Sequence, residues 1–240
     1  MKLALVGDVH GNVEWAKSAI YRAADLGAER IIFLGDFGYK FKDRFIAGLS
    51  EASKDTGLLI EWIDGNHEDF DKLESMYYDL GPEFKYHQRG TVEIIDGVRF
   101  MFLGGATSVD REFRISGVYP GKHWWHQESL TMTDVYRARL YGKADVILSH
   151  DAPYLPPVPT HKGPTAPFPK FDLDVSELHR TIYEFIYRRA MPKYVFHGHY
   201  HAFYEDVIDE PWGKVTITGL NCDGTKLIEN VRIIDTEDMK

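Results

Sequence analysis

The sequence predicts an α/β protein, and three observations carry the prediction. Residues 3–34 read as strand, helix, strand; the same alternation continues to residue 78; and past Gly90 a hairpin signal opens a half richer in strands.

Leu3–Gly7 is an apolar run of the length of a buried strand, and Asn12–Leu26 has the amphipathic spacing of a helix, with Gly27 to stop it. Arg30–Leu34 follows as the next strand, giving a β-α-β start. A helix near Asp43–Ser53, a strand over Leu58–Ile63 and a short helix over Glu68–Tyr78 continue the pattern. Val92–Ile95 and Val98–Leu103 flank Asp96-Gly97, the type of dipeptide a two-residue hairpin prefers because its central residues need positive φ. Beyond it the spacing predicts a strand at Asp145–Ser149, a helix from about Val175 to Arg189, a strand at Lys193–Phe196 and three terminal strands near Phe203, Val215 and Ile228. No internal repeat interrupts the series, and one domain over residues 1–240 is expected.

Composition narrows the function. The 44% hydrophobic content and the 14 Phe and 14 Tyr spread along the chain are those of a folded globular protein. A formal net charge of −9 repels a nucleic-acid backbone and an anionic membrane, so nonspecific binding to either is not expected. A small anionic substrate remains compatible, because divalent ions held by carboxylates would reverse the charge locally. Cys222 is the single cysteine and has no partner for an internal disulfide. Met1–Gly7 is too short for the core of a signal peptide, and no apolar run reaches the length of a membrane span, so the expected compartment is the cytoplasm. Nothing in the residues points to an oligomeric state.

Five short blocks carry the chemistry. Asp8-Val9-His10 follows the first strand, and strand geometry would aim residues i and i+2 to the same side. Gly198-His199-Tyr200-His201 repeats the spacing after the strand at 193–196, while Gly35-Asp36, Gly65-Asn66-His67-Glu68 and Ser149-His150 each follow another apolar strand. Alone, a Gly-Asp pair is an ordinary turn and a solitary His is usually structural. Together all five occupy one topological position, the carboxyl end of a strand, where ligands gather in α/β sheets. Oxygen and imidazole donors without thiolate suit Mn, Fe or Zn, and Asp36 is the candidate to bridge two ions. His197 alternates away from the second pair and reads as structural or supporting; His87, His161 and His179 lack any motif and read as surface or core.

These blocks, in this order, resemble the calcineurin-like metallophosphoesterases over residues 8–201. The resemblance implies two mixed β-sheets packed face to face and flanked by helices, a four-layer α/β/β/α sandwich. It puts Asp8, His10, Asp36 and His201 on one divalent ion and Asp36, Asn66, His150 and His199 on the other, with Asn66 also touching substrate. It makes His67 the catalytic histidine, assisting the leaving oxygen while a metal-bound hydroxide attacks phosphorus in line. After the bridging aspartate the chain continues Phe37-Gly38-Tyr39, where the protein-phosphatase branch has Arg-Gly, and Asp69 stands where that branch has Arg. The Gly-His-Tyr-His block is more similar to the phosphodiesterase branch, which includes bacterial and phage enzymes acting on cyclic nucleotides. The expected activity is therefore hydrolysis of a small phosphodiester such as a 2′,3′-cyclic nucleotide, the alternatives being a phosphomonoesterase or phosphoprotein phosphatase, or a non-catalytic metal-binding scaffold.

Two stretches lack regular patterning and are long enough to cover a pocket. Residues 104–128 carry Asp110, Arg111, Arg114, Lys122, His123, Trp124, Trp125 and His126; residues 151–172 hold seven of the eleven prolines. Arg111 or Arg114 is expected to reach the substrate phosphate, since a guanidinium fork matches its oxygens. His123-Trp124-Trp125-His126 reads equally as a base-stacking surface or as an aromatic plug over the core.

Overall fold

The computed structural model describes residues 1–118, 123–155, 158 and 168–240. Lys122 and His161, both named above, lie outside the described residues, as do most of the prolines of the second irregular stretch.

Two mixed sheets form the centre. The first contains β1 (Lys2–Val6), β2 (Arg30–Leu34), β3 (Ile60–Ile63) and β4 (Phe84–Tyr86) in parallel, closed on the far side of β1 by antiparallel β11 (Val231–Asp235). The second has the order β5 (Thr91–Ile95), β6 (Val98–Leu103), β7 (Val146–Ser149), β8 (Tyr194–His197), β10 (Gly213–Gly219), β9 (Tyr204–Glu210), with β6, β7, β8 and β10 parallel. Helices cover the outer faces: α1 (Val13–Asp25), α2 (Asp43–Thr56) and α3 (Phe70–Ser75) on the first sheet, α5 (Met132–Tyr141) and α6 (Lys170–Ala190) on the second, with the short α4 (Arg111–Ile115) in the connection between β6 and α5.

Strand periodicity sorts the core. Leu3, Leu5, Ile32 and Leu34 point between the sheets, where they meet Phe100, Phe102, Val146 and Leu148. Their neighbours Ala4, Val6, Ile31 and Phe33 point outward to α1 and α2, while Met101, Leu103 and Ile147 face the helices of the other side. Burial on both faces explains why these strands read as continuous apolar runs rather than alternating ones. Each fully buried aliphatic or aromatic side chain contributes about 1.5–3 kcal/mol, and this two-sided burial is what holds the strand ends rigidly enough to carry a site.

The expected strands and helices are largely present, including the Asp96-Gly97 hairpin, whose two residues sit at φ 48° and 84° and pair Ile95 with Val98. Several expectations are corrected. The third terminal strand is centred near Ile233, not Ile228: Ile228 is 75% exposed on a single helical turn, α7 (Leu227–Asn230), that ends as buried Asn230 donates to the carbonyls of Asp8 and Asn221. Helix α6 begins at Lys170, five residues before the apolar spacing shows it, because Pro169 precedes the first turn, where a missing N–H costs nothing. Helix α5 escaped the pattern because Met132, Tyr136 and Leu140 are exposed, leaving apolar residues on both of its faces. Its capping box, Thr131 with Asp134, was the signal that marked it. The segment 104–128 is not wholly irregular, since α4 lies within it.

Candidate metal centre

The five blocks meet at the carboxyl ends of β1, β2 and β3 of one sheet and β7 and β8 of the other. The Asp8–His10 and His199–His201 pairs are not strand residues, as i, i+2 alternation would have it. They lie in loops past the strand ends, where His10, Asp36, His199 and His201 adopt φ of 47°, 45°, 66° and 50°. Such left-handed conformations cost on the order of 1–3 kcal/mol each in a non-glycine residue and persist where the surroundings impose them, commonly at functional sites. Glycines make the close approach possible: a Cβ on Gly65 would lie 2.2 Å from Asp36 Oδ1, and one on Gly198 2.1 Å from Asp8 Oδ1.

Asp8, His10, Asp36 and His201 bring one donor atom each to within 4.8 Å of one another. His201 Nε2 is 3.0 Å from Asp8 Oδ2 and His10 Nε2 3.5 Å from Asp36 Oδ2. Asp36 is buried. Its Oδ1 accepts from the backbone N–H groups of Asn66 (3.0 Å) and His67 (2.9 Å), while Oδ2 is a buried acceptor with no hydrogen bond among the described residues. An anionic oxygen left in that condition is costly unless a cation faces it.

Beside this group, His150 Nε2 lies 3.0 Å from Asn66 Oδ1 and 3.3 Å from Asp36 Oδ1, and its ring centroid is 5.1 Å from that of His199. His150 Nδ1 is 2.8 Å from the Leu34 carbonyl and must donate there, so neutral His150 has its Nε2 lone pair aimed at the Asn66 oxygen. Two acceptors 3.0 Å apart require a positive species between them, a proton or a metal ion. Both clusters fit divalent cations on these grounds.

The histidines report the same demand. Burial disfavours charge on His10, but the Asp223 and Asp36 carboxylates outweigh it and raise the imidazole to about 11. Asp36 and Asp8 likewise overcome burial to raise His150 to about 10, and Asp8 with Cys222 does so for His201, also to about 10. In return Asp36, despite burial, is held well below the usual carboxylate range by His150 and His67. His67 goes the other way: burial, aided by the nearby Arg114, pushes it to about 3 against the pull of Asp36.

A pH dependence follows. In the metal-free protein, protons occupy His10, His150 and His201 up to about pH 10, and each must leave before its nitrogen can ligate. Affinity for Mn²⁺ should therefore rise from pH 6 to pH 9 with protons released on binding, as read by calorimetry in two buffers of different ionisation enthalpy. Because these imidazoles are raised above their unfolded value, their stabilisation of the metal-free fold is complete below pH 6.5 and lost as pH rises through about 10. Melting in the presence of EDTA should decline over that window.

A profile of the calcineurin-like phosphoesterases matches residues 1–203. The chain belongs to the calcineurin-like phosphoesterase family. It is accordingly a metal-dependent phosphoric ester hydrolase, and its two donor clusters fit the family's dinuclear divalent centre. Solved structures similar in fold include a Thermus thermophilus protein, TT1561, at 17% identity and TM-score 0.57, covering 100% of this chain and 96% of that one. Phosphopantetheinyl hydrolase from Mycobacterium tuberculosis is 15% identical at TM-score 0.53 over 97% and 95% of the two chains. A Danio rerio dimetal phosphatase is 13% identical at 0.51 over 95% and 88%. Comparison with curated proteins finds no significant match.

In this calcineurin-like phosphoesterase two supporting residues were given no role from the sequence. Asp223 Oδ1 is 2.8 Å from His10 Nδ1 and its Oδ2 accepts from Asn12, fixing which ring nitrogen of His10 faces the centre. It lies 213 residues from its partner and beyond the matched region, with no local motif. Glu68 is fully buried and joins two loops, accepting from the backbone N–H of Phe37 (2.6 Å) and Gly65 (2.7 Å). Here a signal existed, since Glu68 closes the Asn66-His67 block.

Residues of the irregular segments divide. Arg114, 5% exposed, lines a cavity of about 460 Å³ with His10, Tyr39, Asn66, His67, Val109, Asp110, Phe168, His199 and His201. Arg111 does not line it: its Nε donates to Asp172 at 2.9 Å and its guanidinium lies over Trp124 and Phe171. The Trp pair likewise stays outside, with Trp125 buried and donating to Asp71; both Trp side chains and His123 line a neighbouring cavity with Asp69, Asp71 and Lys72, and His123 and His126 are exposed. His197 is buried against Tyr204, His87 against Glu61, and His179 against Asp151. Among the described residues no helix is long and apolar enough to cross a membrane.

Proposed function

We propose that this chain hydrolyses a phosphodiester, with a small cyclic nucleotide such as a 2′,3′-cyclic one as the substrate class. The centre takes two Mn²⁺, with Fe or Zn compatible with the same donors. The observation that carries the reading is the make-up of the cavity wall. Arg114 is its one permanently cationic side chain among the described lining residues, and Asp110 Oδ1, also in the wall, lies 2.7 Å from its Nε. A diester brings a single negative charge, which one half-neutralised guanidinium and the centre can match. A monoester dianion would face Asp110 without a second fixed cation. Tyr39, Val109 and Phe168 give the rest of the wall an apolar surface for the organic substituent of a second ester bond.

When bound, the cations supply an activated water and positive charge facing the phosphoryl oxygens. The chain's own groups do the remainder. Arg114 Nη1 is buried with no hydrogen-bond partner among the described residues, a donor available to a phosphoryl oxygen. Arg114 Nη2 donates to His67 Nε2 at 2.9 Å, holding that ring at the cavity wall, 3.8 Å from Asp36 Oδ2. His67 is neutral as it stands and its Nε2 accepts from Arg114, so to give the leaving oxygen a proton it must first take one up at Nε2 as Arg114 turns to the phosphate.

With Mn²⁺ present, bis-p-nitrophenyl phosphate should be hydrolysed faster than p-nitrophenyl phosphate. Clear preference for the monoester would replace this reading with a phosphomonoesterase, and inertness toward both with Mn, Fe and Zn would leave a binding scaffold. Arg114→Ala should raise KM for the diester about 10- to 100-fold, the worth of one charged hydrogen bond, and an unchanged KM would take Arg114 out of phosphate contact.

A further inference from the structure

Asn66 is the one member of the two donor clusters whose side chain could face the centre in either of two ways, oxygen inward or NH₂ inward. What orients it comes from the segment after β6. Asn66 Nδ2 donates to Ser108 Oγ at 2.9 Å, and Ser108 Oγ donates to Glu128 Oε2 at 2.6 Å. The other carboxylate oxygen, Oε1, accepts from the Ser108 backbone N–H at 2.8 Å. Asn66, Ser108 and Glu128 are 2%, 1% and 0% exposed, so water does not compete for these bonds.

We infer that Ser108 and Glu128 are positioning residues that set the polarity of the Asn66 amide and so determine whether the second divalent ion is held. An ionised carboxylate can only accept. The single Ser108 hydroxyl proton is thereby committed to Glu128, its oxygen can only accept from Asn66, and the Asn66 carbonyl oxygen must face His150 Nε2 at 3.0 Å. Released from Ser108, the amide could turn over as soon as His150 gives up its Nε2 proton, which it must do to bind an ion, and donate its NH₂ to that same nitrogen. A neutral hydrogen bond would then satisfy His150 and remove the facing acceptors that call for a cation.

Glu128 is itself anchored. The Arg89 guanidinium donates to the carbonyls of Gln127 (2.8 Å), Glu128 (3.1 Å) and Ser129 (2.7 Å), and is ion-paired with Asp64 just past the end of β3. Ala106 N donates to the Glu128 carbonyl at 3.1 Å and Gly105 N to the Asp64 carbonyl at 2.9 Å. This part of the 104–128 segment is thus tied to the strand that carries Asn66. It acts as a fixed wall of the centre.

Burial pushes Glu128 up to about 7 against its Ser108 hydrogen bonds, so the test is made at pH 8, where the carboxylate is ionised. The inference rests on the two-ion reading. Titration of metal-free protein with Mn²⁺ should show two ions in the wild type. In Ser108→Ala the first ion should bind nearly as before and the second about 10- to 100-fold more weakly, the usual cost of losing a ligand-orienting partner. Ser108→Thr, which keeps the hydroxyl, should recover most of the loss. Glu128→Gln, nearly isosteric, should weaken the second ion while keeping the melting temperature close to wild type, so that loss of fold is told apart from loss of orientation. Two ions bound with wild-type affinity in both Ser108→Ala and Glu128→Gln would overturn the positioning role alone. A wild type that takes up fewer than two ions would overturn the two-ion reading with it.

Discussion

Asp36→Asn is expected to abolish uptake of the second equivalent of Mn²⁺ and to lower phosphodiester turnover about 10³-fold or more, beyond the 10²- to 10³-fold typical of one lost electrostatic contact. The size follows from how Asp36 is held. Its Oδ1 is engaged by two backbone N–H groups, of Asn66 and His67, and its Oδ2 is a buried acceptor facing His10 and His67 at 3.5 and 3.8 Å. In asparagine the amide oxygen would keep the two backbone bonds and the NH₂ would fall where Oδ2 was. A donor would then point into a centre built to receive cations. The substitution is close to isosteric, so melting of the metal-free protein should change little while metal stoichiometry and turnover collapse together. Two ions retained with undiminished turnover would remove Asp36 from its place between the clusters.

His67→Ala is expected to leave both ions bound and to lower kcat about 10²- to 10⁴-fold, the range for a positioned general acid. The ring lines the cavity at the side of Arg114, while the proposed ligand positions are six residues of the other blocks together with Asn66. Its loss also removes the acceptor for Arg114 Nη2, so KM should shift modestly in the same variant. The discriminating measurement is a diester with a very acidic leaving group: the deficit should shrink, because such an oxygen departs without a proton. An equal deficit on acidic and ordinary leaving groups would mean that His67 acts on the fold of the site and not on the leaving oxygen.

Much of the candidate site was legible because its residues are reactive types set in short blocks after apolar runs. Asp8, His10, Asp36, Asn66, His150, His199 and His201 could all be named from that arrangement. The reason for their convergence was only partly legible. Alternation along a strand would have aimed Asp8 with His10 and His199 with His201, yet each pair sits beyond its strand, turned by left-handed backbone at His10, His199 and His201. Local patterning does not report such conformations in non-glycine residues, since tertiary contacts impose them. Arg111 and Arg114 show a second limit. Three residues apart on one helix, they look alike in the sequence, and only packing sends one to Asp172 and the other to the cavity.

By itself the sequence determined the α/β class, most of the strands and helices and the chemical type of the centre, because apolar periodicity and donor type are properties of neighbouring residues; the pairing directions and the short β4 came only from the fold. Tertiary structure alone decided which atoms face the ions. Asp223 behind His10, the Leu34 carbonyl behind His150 and Ser108 with Glu128 behind Asn66 are separated from their partners by 213, 116 and at least 42 residues. A hydrogen bond that chooses a tautomer or an amide orientation acts over about 3 Å of space and leaves no trace along the chain.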